Sequence, residues 1–208
     1  MKQHLFIGAL LCATIFAGTA CSDDDSSSDK TYRTGDFYSD GGVRGVVIKI
    51  TDGGRHGLIV SLDENDVSSW ASAEAVAMDT RATNTDDGSV NMMAVEAISG
   101  WQTKFPAFAW CGVKNTGGVS GWYLPAYYEL GDLLDVYLAD KAAFNKTLTD
   151  NGGTAIAPTA DNYYYWSSSQ NLLAAKVGEA AVLGFLDEGT RAFMAKDRTA
   201  RVRAVRVF

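Results

Sequence analysis

Cysteine, histidine and proline are scarce in this chain: its 208 residues include three Cys, two His and three Pro. Cys12 and Cys21 both lie in the N-terminal segment, so Cys111 is the one cysteine in the body of the chain. This excludes a disulfide bond within the body, and we expect Cys111 to be a small core residue in the apolar run 108–111. Stability must therefore come from packing.

The lack of histidine also limits catalysis. His4 is close to the N-terminus, and His56 lies in a glycine-rich turn near Asp52, where a histidine is usually exposed to solvent. A hydrolase with a histidine base would depend on this one turn residue. Two carboxylates could still form a glycosidase site, because sequence spacing does not give separation in space. We predict that the protein is not an enzyme and that it has no cofactor.

Basic residues are outnumbered, with 18 Lys and Arg against 25 Asp and Glu, and the formal net charge is −7 at pH 7. Because polyanions are repelled by a negative field, we expect no nucleic-acid partner. No proline-rich or glycine-rich linker divides the chain after residue 35. Residues 36–208 are therefore predicted to form one domain.

A long hydrophobic run is also absent. The apolar run 5–16 follows a short basic start and has about a dozen residues, whereas a membrane-spanning helix needs roughly 20. The small residues 17–20 come next, directly before Cys21. This order is typical of a signal peptide, which we predict over residues 1–20.

Cys21 follows small residues in a way that resembles the lipobox of bacterial lipoproteins. The resemblance implies that Cys21 carries a lipid that includes palmitate. It also implies that this lipid holds the protein on a membrane, at the outer membrane or cell surface. Residues 21–35 begin with four aspartates among serines, which predicts a flexible acidic tether. The alternative is ordinary secretion after Ala20.

The body of the chain has strand patterns at both ends and helix patterns in the middle. Residues 46–50 and 58–62 are β-branched runs joined by a glycine-rich turn, which predicts a hairpin. Helical patterns cover about 92–98, 105–113 and 141–148, and strand patterns return at 163–168, 180–186 and 201–208. This order predicts an α+β domain in which N- and C-terminal strands meet in one antiparallel sheet.

Pro125 precedes the clearest helical pattern of the chain. Its apolar positions recur at steps of three and four residues, which places them on one face of an amphipathic helix. These positions are Tyr127, Leu130, Leu133, Leu134 and Tyr137. We therefore expect this helix to pack on the sheet.

Three motifs give the chain a resemblance to a known family. They are Gly-Trp-Tyr-Leu-Pro at 121–125 followed by Glu129-Leu130, Tyr-Trp-Ser-Ser-Ser at 165–169, and Arg-Val-Arg-Ala-Val-Arg at 201–206. In this order they resemble the C-terminal domain of Legionella collagen-like proteins, over about residues 42–208. The resemblance implies a C-type-lectin-like fold on a bacterial surface and a role in adhesion or glycan binding.

Some motifs of related proteins are missing. Calcium-dependent lectins carry Glu-Pro-Asn or Gln-Pro-Asp and Trp-Asn-Asp, whereas this chain has Trp166-Ser167-Ser168, and hydroxyls are poor calcium ligands. We therefore predict no metal site. Formylglycine-generating enzymes share the fold class but use paired cysteines, which the body of this chain lacks.

The candidate ligand-binding residues are Tyr163, Tyr164, Gln170 and Asn171. Aromatic faces stack on sugar rings, and amides form hydrogen bonds with hydroxyls. Strand packing is the alternative role for the two tyrosines. We expect Trp122 and Trp166 to lie in the core, and the arginines at 201, 203 and 206 to pair with carboxylates.

Two functions follow from these patterns. The first is a surface-exposed lipoprotein that binds a glycan, or a host or envelope polymer, with recognition loops after Trp166 and at 79–91. The second is a structural or assembly component of an envelope or appendage complex. A variant of the first function rests on a further resemblance, to proteins that are targets of diversity-generating retroelements. These elements vary residues near the C-terminus of such a binding domain.

Overall fold

The computed structural model describes residues 30–186 and 189–208. The predicted signal peptide, Cys21 and most of the predicted tether lie outside these residues. Residues 30–35 of the tether are described, and Tyr32 is buried there, with its backbone N–H bonded to Gly54 O at 2.8 Å. Packing against the domain therefore begins before residue 36.

The described chain is an α+β domain with nine strands and five helices. The first four strands are β1 (Phe37–Asp40), β2 (Val43–Thr51), β3 (His56–Ser61) and β4 (Asn65–Ser69). The helices are α1 (Gly88–Glu96), α2 (Trp101–Lys104), α3 (Pro106–Gly112), α4 (Tyr127–Ala139) and α5 (Lys141–Asp150). The last five strands are β5 (Tyr164–Gln170), β6 (Glu179–Gly184), β7 (Arg191–Ala195), β8 (Thr199–Val202) and β9 (Val205–Val207).

The strands form two sheets. The first has the order β1-β2-β3-β9 and is antiparallel, so the N- and C-terminal strands do meet in one sheet. The second, with the order β4-β8-β5-β6-β7, was not anticipated from the sequence, and it includes one parallel pair between β5 and β8. The α+β prediction is confirmed, with two sheets in place of one.

The predicted C-terminal strand at 201–208 is wrong as a single element. β8 ends at Val202 in the second sheet and β9 begins at Val205 in the first. The chain crosses from one sheet to the other at Arg203 and Ala204, both of which are buried. This crossing explains why Arg201 and Arg203 follow a two-residue step in the sequence whereas Arg206 comes three residues later.

The hairpin and the amphipathic helix are confirmed. β2 and β3 pair antiparallel around Gly53, which adopts φ +66° in the connecting turn. In α4 the buried apolar residues are Leu130, Leu133, Leu134 and Tyr137. They belong to the same continuous core as buried strand residues such as Val47 and Val182. Among the described helices, none has the length and apolar character to cross a membrane.

Candidate functional site

A groove of about 300 Å³ lies between the start of α4 and strand β7. Aromatic, aliphatic and polar side chains line it together, with one cation. The lining residues are Thr85, Tyr127, Tyr128, Ser169, Gln170, Leu172, Ala181, Arg191, Ala192 and Phe193. No carboxylate is among them. We take this α4–β7 groove as the candidate site.

Large apolar side chains around the groove are exposed to solvent. Tyr128 is 53% exposed and Phe193 is 56% exposed, and Leu172 beside them is 70% exposed. Exposing this much apolar surface in one place costs free energy, and such patches usually mark a binding surface. The groove therefore has the composition of a recognition site.

Arg191 and Tyr127 form one fixed wall of the groove. The Arg191 guanidinium lies 5.4 Å from the centre of the Tyr127 ring, and its Nη1 donates a hydrogen bond to Tyr127 Oη at 3.1 Å. Tyr127 in turn packs edge-on against Tyr128, with the ring centroids 5.2 Å apart. These contacts hold two aromatic rings and a cation in place without a ligand.

The floor of the groove is polar and depends on the loop 79–87. Ser169 Oγ donates to Asn84 O at 2.8 Å and accepts from Tyr127 N at 3.1 Å. Tyr128 N donates to Thr85 O at 2.9 Å. The segment 79–91 was expected to be an exposed recognition loop, but residues 88–91 belong to α1 and much of the segment 79–87 is docked against β5 and α4.

Gln170, a predicted ligand residue, uses its amide inside the protein. Its Oε1 accepts from Thr80 N, Thr80 Oγ1 and Lys196 Nζ, and its Nε2 donates to Asp79 Oδ1 at 2.9 Å. Only 4% of the residue is exposed. Gln170 therefore supports the groove and anchors the loop 79–87, without the free amide that the prediction required.

Asn171 is also engaged internally. Its Nδ2 donates to Glu179 Oε2 at 3.2 Å, its Oδ1 accepts from Leu173 N at 3.0 Å, and its backbone N–H donates to Glu179 O. It lines a separate, more polar depression beside Gln170. Its contacts shape the turn that presents Leu172.

Tyr163 and Tyr164 lie at the opposite end of β5 from Gln170. Their rings are 4.3 Å apart and partly exposed. Six strand residues at about 3.3 Å each place Tyr164 roughly 20 Å from Gln170. The four predicted residues therefore do not form a single cluster.

Lys196 is a buried cation next to this region. It is fully buried, with Nζ 4.4 Å from the centre of the Trp70 ring and bonded to Gln170 Oε1 at 2.6 Å and Met78 O at 3.1 Å. Burial lowers the pKa of Lys196 to about 8. The side chain of Gln170 thus links the loop that forms the groove floor to the ammonium group of Lys196, whose burial costs free energy.

The arginines at 201 and 203 do pair with a carboxylate, as predicted. The prediction is wrong for Arg206, whose Nε donates to the backbone carbonyl of Ser120 at 2.5 Å and which forms no ion pair with a described carboxylate. Glu64 Oε1 accepts from Arg201 Nη1 at 2.5 Å, and Glu64 Oε2 accepts from Arg203 Nε at 2.8 Å. Tyr165 Oη also donates to Glu64 at 2.5 Å, and burial raises the pKa of this tyrosine. All four side chains are almost entirely buried, so this cluster is structural.

The remaining sequence candidates have structural roles. Trp122 and Trp166 are buried, as is Cys111, whose thiol pKa is raised by burial, whereas His56 is exposed in its turn. Within residues 30–186 and 189–208, no group of three His, Cys, Asp or Glu side chains is placed to hold a metal ion.

Of the residues that line the groove, Gln170 was the one predicted from the sequence to bind a ligand. Tyr127 was assigned to the buried face of α4, and Tyr128, Arg191 and Phe193 were assigned no role. The segment 191–195 has one polar residue, Arg191, so no alternation of polar and apolar residues marks Phe193 as exposed. Its proximity to Tyr128 follows only from the fold.

No protein-family model matches the chain, and no curated protein matches it in sequence.

Proposed function

We propose that this protein is a lipid-anchored surface protein whose C-type-lectin-like domain binds a glycan in the α4–β7 groove. One observation carries the proposal: Tyr128 and Phe193 are exposed aromatic side chains on either side of a groove with a polar floor. Sugars combine apolar C–H faces with hydroxyls, so an aromatic wall with nearby hydrogen-bonding groups suits them.

The fold assignment is supported by the positions of the three motifs. Gly-Trp-Tyr-Leu-Pro leads into α4, Tyr-Trp-Ser-Ser-Ser lies in β5, and the arginine motif spans β8 and β9. The motifs contact one another, since Tyr123 forms a bridge with Val205 and Tyr165 pairs with Arg201. A domain whose first and last strands pair, with a second sheet formed from the later part of the chain, suits a C-type-lectin-like fold.

The groove prediction concerns Tyr128 and Phe193. We expect Tyr128→Ala and Phe193→Ala each to weaken glycan binding about tenfold or more, since stacking of an aromatic ring contributes on the order of 1.4 kcal/mol. Screening of the full chain on a glycan array, followed by calorimetry with the best glycan, measures this.

Met93→Ala and Val113→Ala are matched controls, because these side chains are 61% and 65% exposed and lie away from the groove, on α1 and directly after α3. Both should bind as the wild type does. Absence of glycan binding by the wild type, or equal losses in all four variants, would contradict the proposal.

A further inference from the structure

A second depression, of about 410 Å³, adjoins the α4–β7 groove. The depression and the groove share the lining residues Gln170 and Leu172. Leu172 stands between them and is largely exposed to solvent. The further lining of the depression, which we call the Arg81 depression, includes Asp79, Arg81, Thr83, Asn171 and Leu173.

One segment of the chain, residues 79–85, lines both the depression and the groove. Its side chains alternate as they do along a strand, with Thr80 and Ala82 buried and residues 79, 81 and 83 facing the Arg81 depression. Thr85, the next residue in this alternation, lines the α4–β7 groove. A row of polar side chains therefore runs from the depression into the groove.

Hydrogen bonds to the end of β5 hold this segment in place. Gln170 N donates to Ala82 O at 2.7 Å, and Gln170 Oε1 accepts from Thr80 N at 3.1 Å. Within the segment, Asp79 Oδ1 accepts from Arg81 N at 3.0 Å. The row of side chains is therefore positioned without a ligand, which lowers the ordering cost of binding.

Arg81 combines a strained backbone with an exposed cation. Its φ is +60°, and among the described residues other than glycine only Asp52 also has a positive φ. Such conformations cost free energy and are concentrated at binding and catalytic sites. The side chain is 86% exposed, and its nearest described carboxylate is that of Asp79, with Nε and Oδ2 3.6 Å apart. The guanidinium donors therefore face the solvent above the depression.

We propose that the groove and the Arg81 depression together bind an uncharged linear glycan, which lies across Leu172 with successive sugars in the two parts. The inference rests on the glycan binding proposed above and names the class of glycan. Ligand pockets usually have volumes of about 300–1,000 Å³. The groove, at about 300 Å³, is at the lower limit and holds only a short piece of a polysaccharide.

The chemistry of the Arg81 depression suits an uncharged sugar chain. Leu172 and Leu173 are 70% and 65% exposed and offer apolar contacts to the C–H faces of sugars. Asp79 accepts hydrogen bonds, Arg81 donates them and Thr83 can do both, so sugar hydroxyls find both kinds of partner. One acid beside one base gives no net charge, which favours a neutral polymer over a polyanion or polycation.

The dependence of affinity on glycan length tests this inference. The probes are disaccharides to hexasaccharides cut from xylan, mannan, cellulose and amylose, and calorimetry with the full chain measures their affinity. For the polysaccharide that binds best, we expect the hexasaccharide to bind at least about tenfold more tightly than the disaccharide. The longer ligand reaches the Arg81 depression, whereas the shorter one fills only the groove.

Substitutions in the depression should act on the long ligand alone. We expect Arg81→Ala and Leu173→Ala each to weaken hexasaccharide binding about fivefold and disaccharide binding less than about twofold. A long oligosaccharide also offers the groove several overlapping registers. The gain with length that persists when both substitutions are combined measures this statistical effect.

Arg55→Ala and Val67→Ala are the matched controls. Arg55, like Arg81, is an exposed arginine paired with an aspartate in a turn, and Val67 is 60% exposed on β4. Neither residue lines the groove or the depression, so both variants should bind each ligand as the wild type does. Circular dichroism and thermal melting check that each variant is folded.

Equal affinity of the wild type for the two lengths would overturn the inference, as would a gain with length that is unchanged in the doubly substituted protein. So would binding of other glycans on the array with no binding of these oligosaccharides. Tyr128→Ala separates this failure from failure of the proposed function. If it weakens both lengths while Arg81→Ala weakens neither, only the extension into the depression is wrong.

Discussion

At the scale of single residues, Lys196 is the most unfavourably placed charge near the groove. It is fully buried, and its contacts are the Trp70 ring, the Gln170 amide oxygen and the carbonyl of Met78. Neutral acceptors stabilise an ammonium less than a carboxylate does. The nearest negative charge that favours the ammonium is Asp79, on the far side of Gln170.

The lowered pKa of Lys196 predicts how stability depends on pH. The unfolded chain holds this proton up to about pH 10.5, whereas the folded chain releases it above about pH 8. Between these values the unfolded state binds more protons, so Lys196 makes the free energy of unfolding rise with pH, by at most about 1.4 kcal/mol per pH unit. Urea unfolding at pH 7.5, 8.5 and 9.5 measures this dependence.

Lys196→Met is the control, and the difference in free energy of unfolding between the wild type and this variant isolates the contribution of the lysine. The comparison is necessary because the raised pKa of Cys111 acts in the opposite direction near pH 9. A difference that stays constant from pH 7.5 to 9.5 would show that Lys196 does not titrate in this range.

Sequence patterns predicted some residue roles and missed others for a physical reason. Arg201 and Arg203 stand out as cations in an apolar alternating segment, so their need for a carboxylate was predictable. Glu64 was not, because it lies in a polar stretch beside Asp63 and Asp66, where nothing distinguishes the buried acid. The role of Glu64 as the partner of both arginines depends on the crossing of the chain from one sheet to the other.

At the scale of elements, one carboxylate connects the starts of two helices. Glu129 Oε2 accepts from Ala126 N at 2.8 Å, at the start of α4, and from Gly88 N at 2.9 Å, at the start of α1. Glu129 Oε1 accepts from Tyr123 Oη at 2.7 Å. Burial raises the pKa of Glu129, although the hydrogen bonds act in the opposite direction.

Two substitutions at Glu129 separate its hydrogen bonds from its charge. Glu129→Ala leaves two backbone donors and a buried hydroxyl without an acceptor, so we expect a loss of about 3 kcal/mol in the free energy of unfolding. Glu129→Gln can accept both backbone bonds on its amide oxygen, and its amide nitrogen can donate to Tyr123 Oη in place of accepting from it, so at neutral pH we expect it to lose much less stability than Glu129→Ala. Chemical denaturation measures both.

The pH profile gives a second check on Glu129. The folded chain binds its proton more tightly than the unfolded chain, so this group stabilises the fold at low pH and loses that contribution as the pH rises through its raised pKa. Glu129→Gln should remove this component of the profile. An equally large loss of stability in both variants would contradict the role assigned to the charge.

Helix α4 and the β2–β3 hairpin were predictable because their signals are local. Pro125, the three- and four-residue steps and the glycine-rich turn each act within about a dozen residues. The division of the C-terminal segment between β8 and β9 was not predictable, since it depends on partners in β3 and β5 that are distant in sequence.

At the scale of the whole molecule, the N-terminal lipid remains a prediction. Cys21→Ala should release the protein from membranes, because the lipid supplies the anchor in the proposed function. Fractionation of cells and labelling with palmitate measure this, with Cys111→Ala as the control for loss of a thiol. Membrane association of Cys21→Ala equal to that of the control would rule out the lipid anchor.

The fold class could be predicted from the order of strand and helix patterns, but the groove could not. Its two exposed aromatic residues, Tyr128 and Phe193, belong to a helix and an edge strand that are adjacent only in the folded chain. The predicted tyrosines at 163 and 164 were local in sequence and lie elsewhere on β5. A site formed by segments that are distant in sequence leaves little pattern within any one of those segments.

The pairing of β9 with β3 also determines when the domain can fold. Val205 pairs with Val60, and Phe208 packs against Tyr32 and Tyr38, with ring centroids 5.4 Å and 4.7 Å away. Such contacts have high contact order, and closing them is slow. The first sheet therefore cannot be completed during synthesis until residues 205–208 have emerged from the ribosome, so its edge at β3 stays unpaired until then.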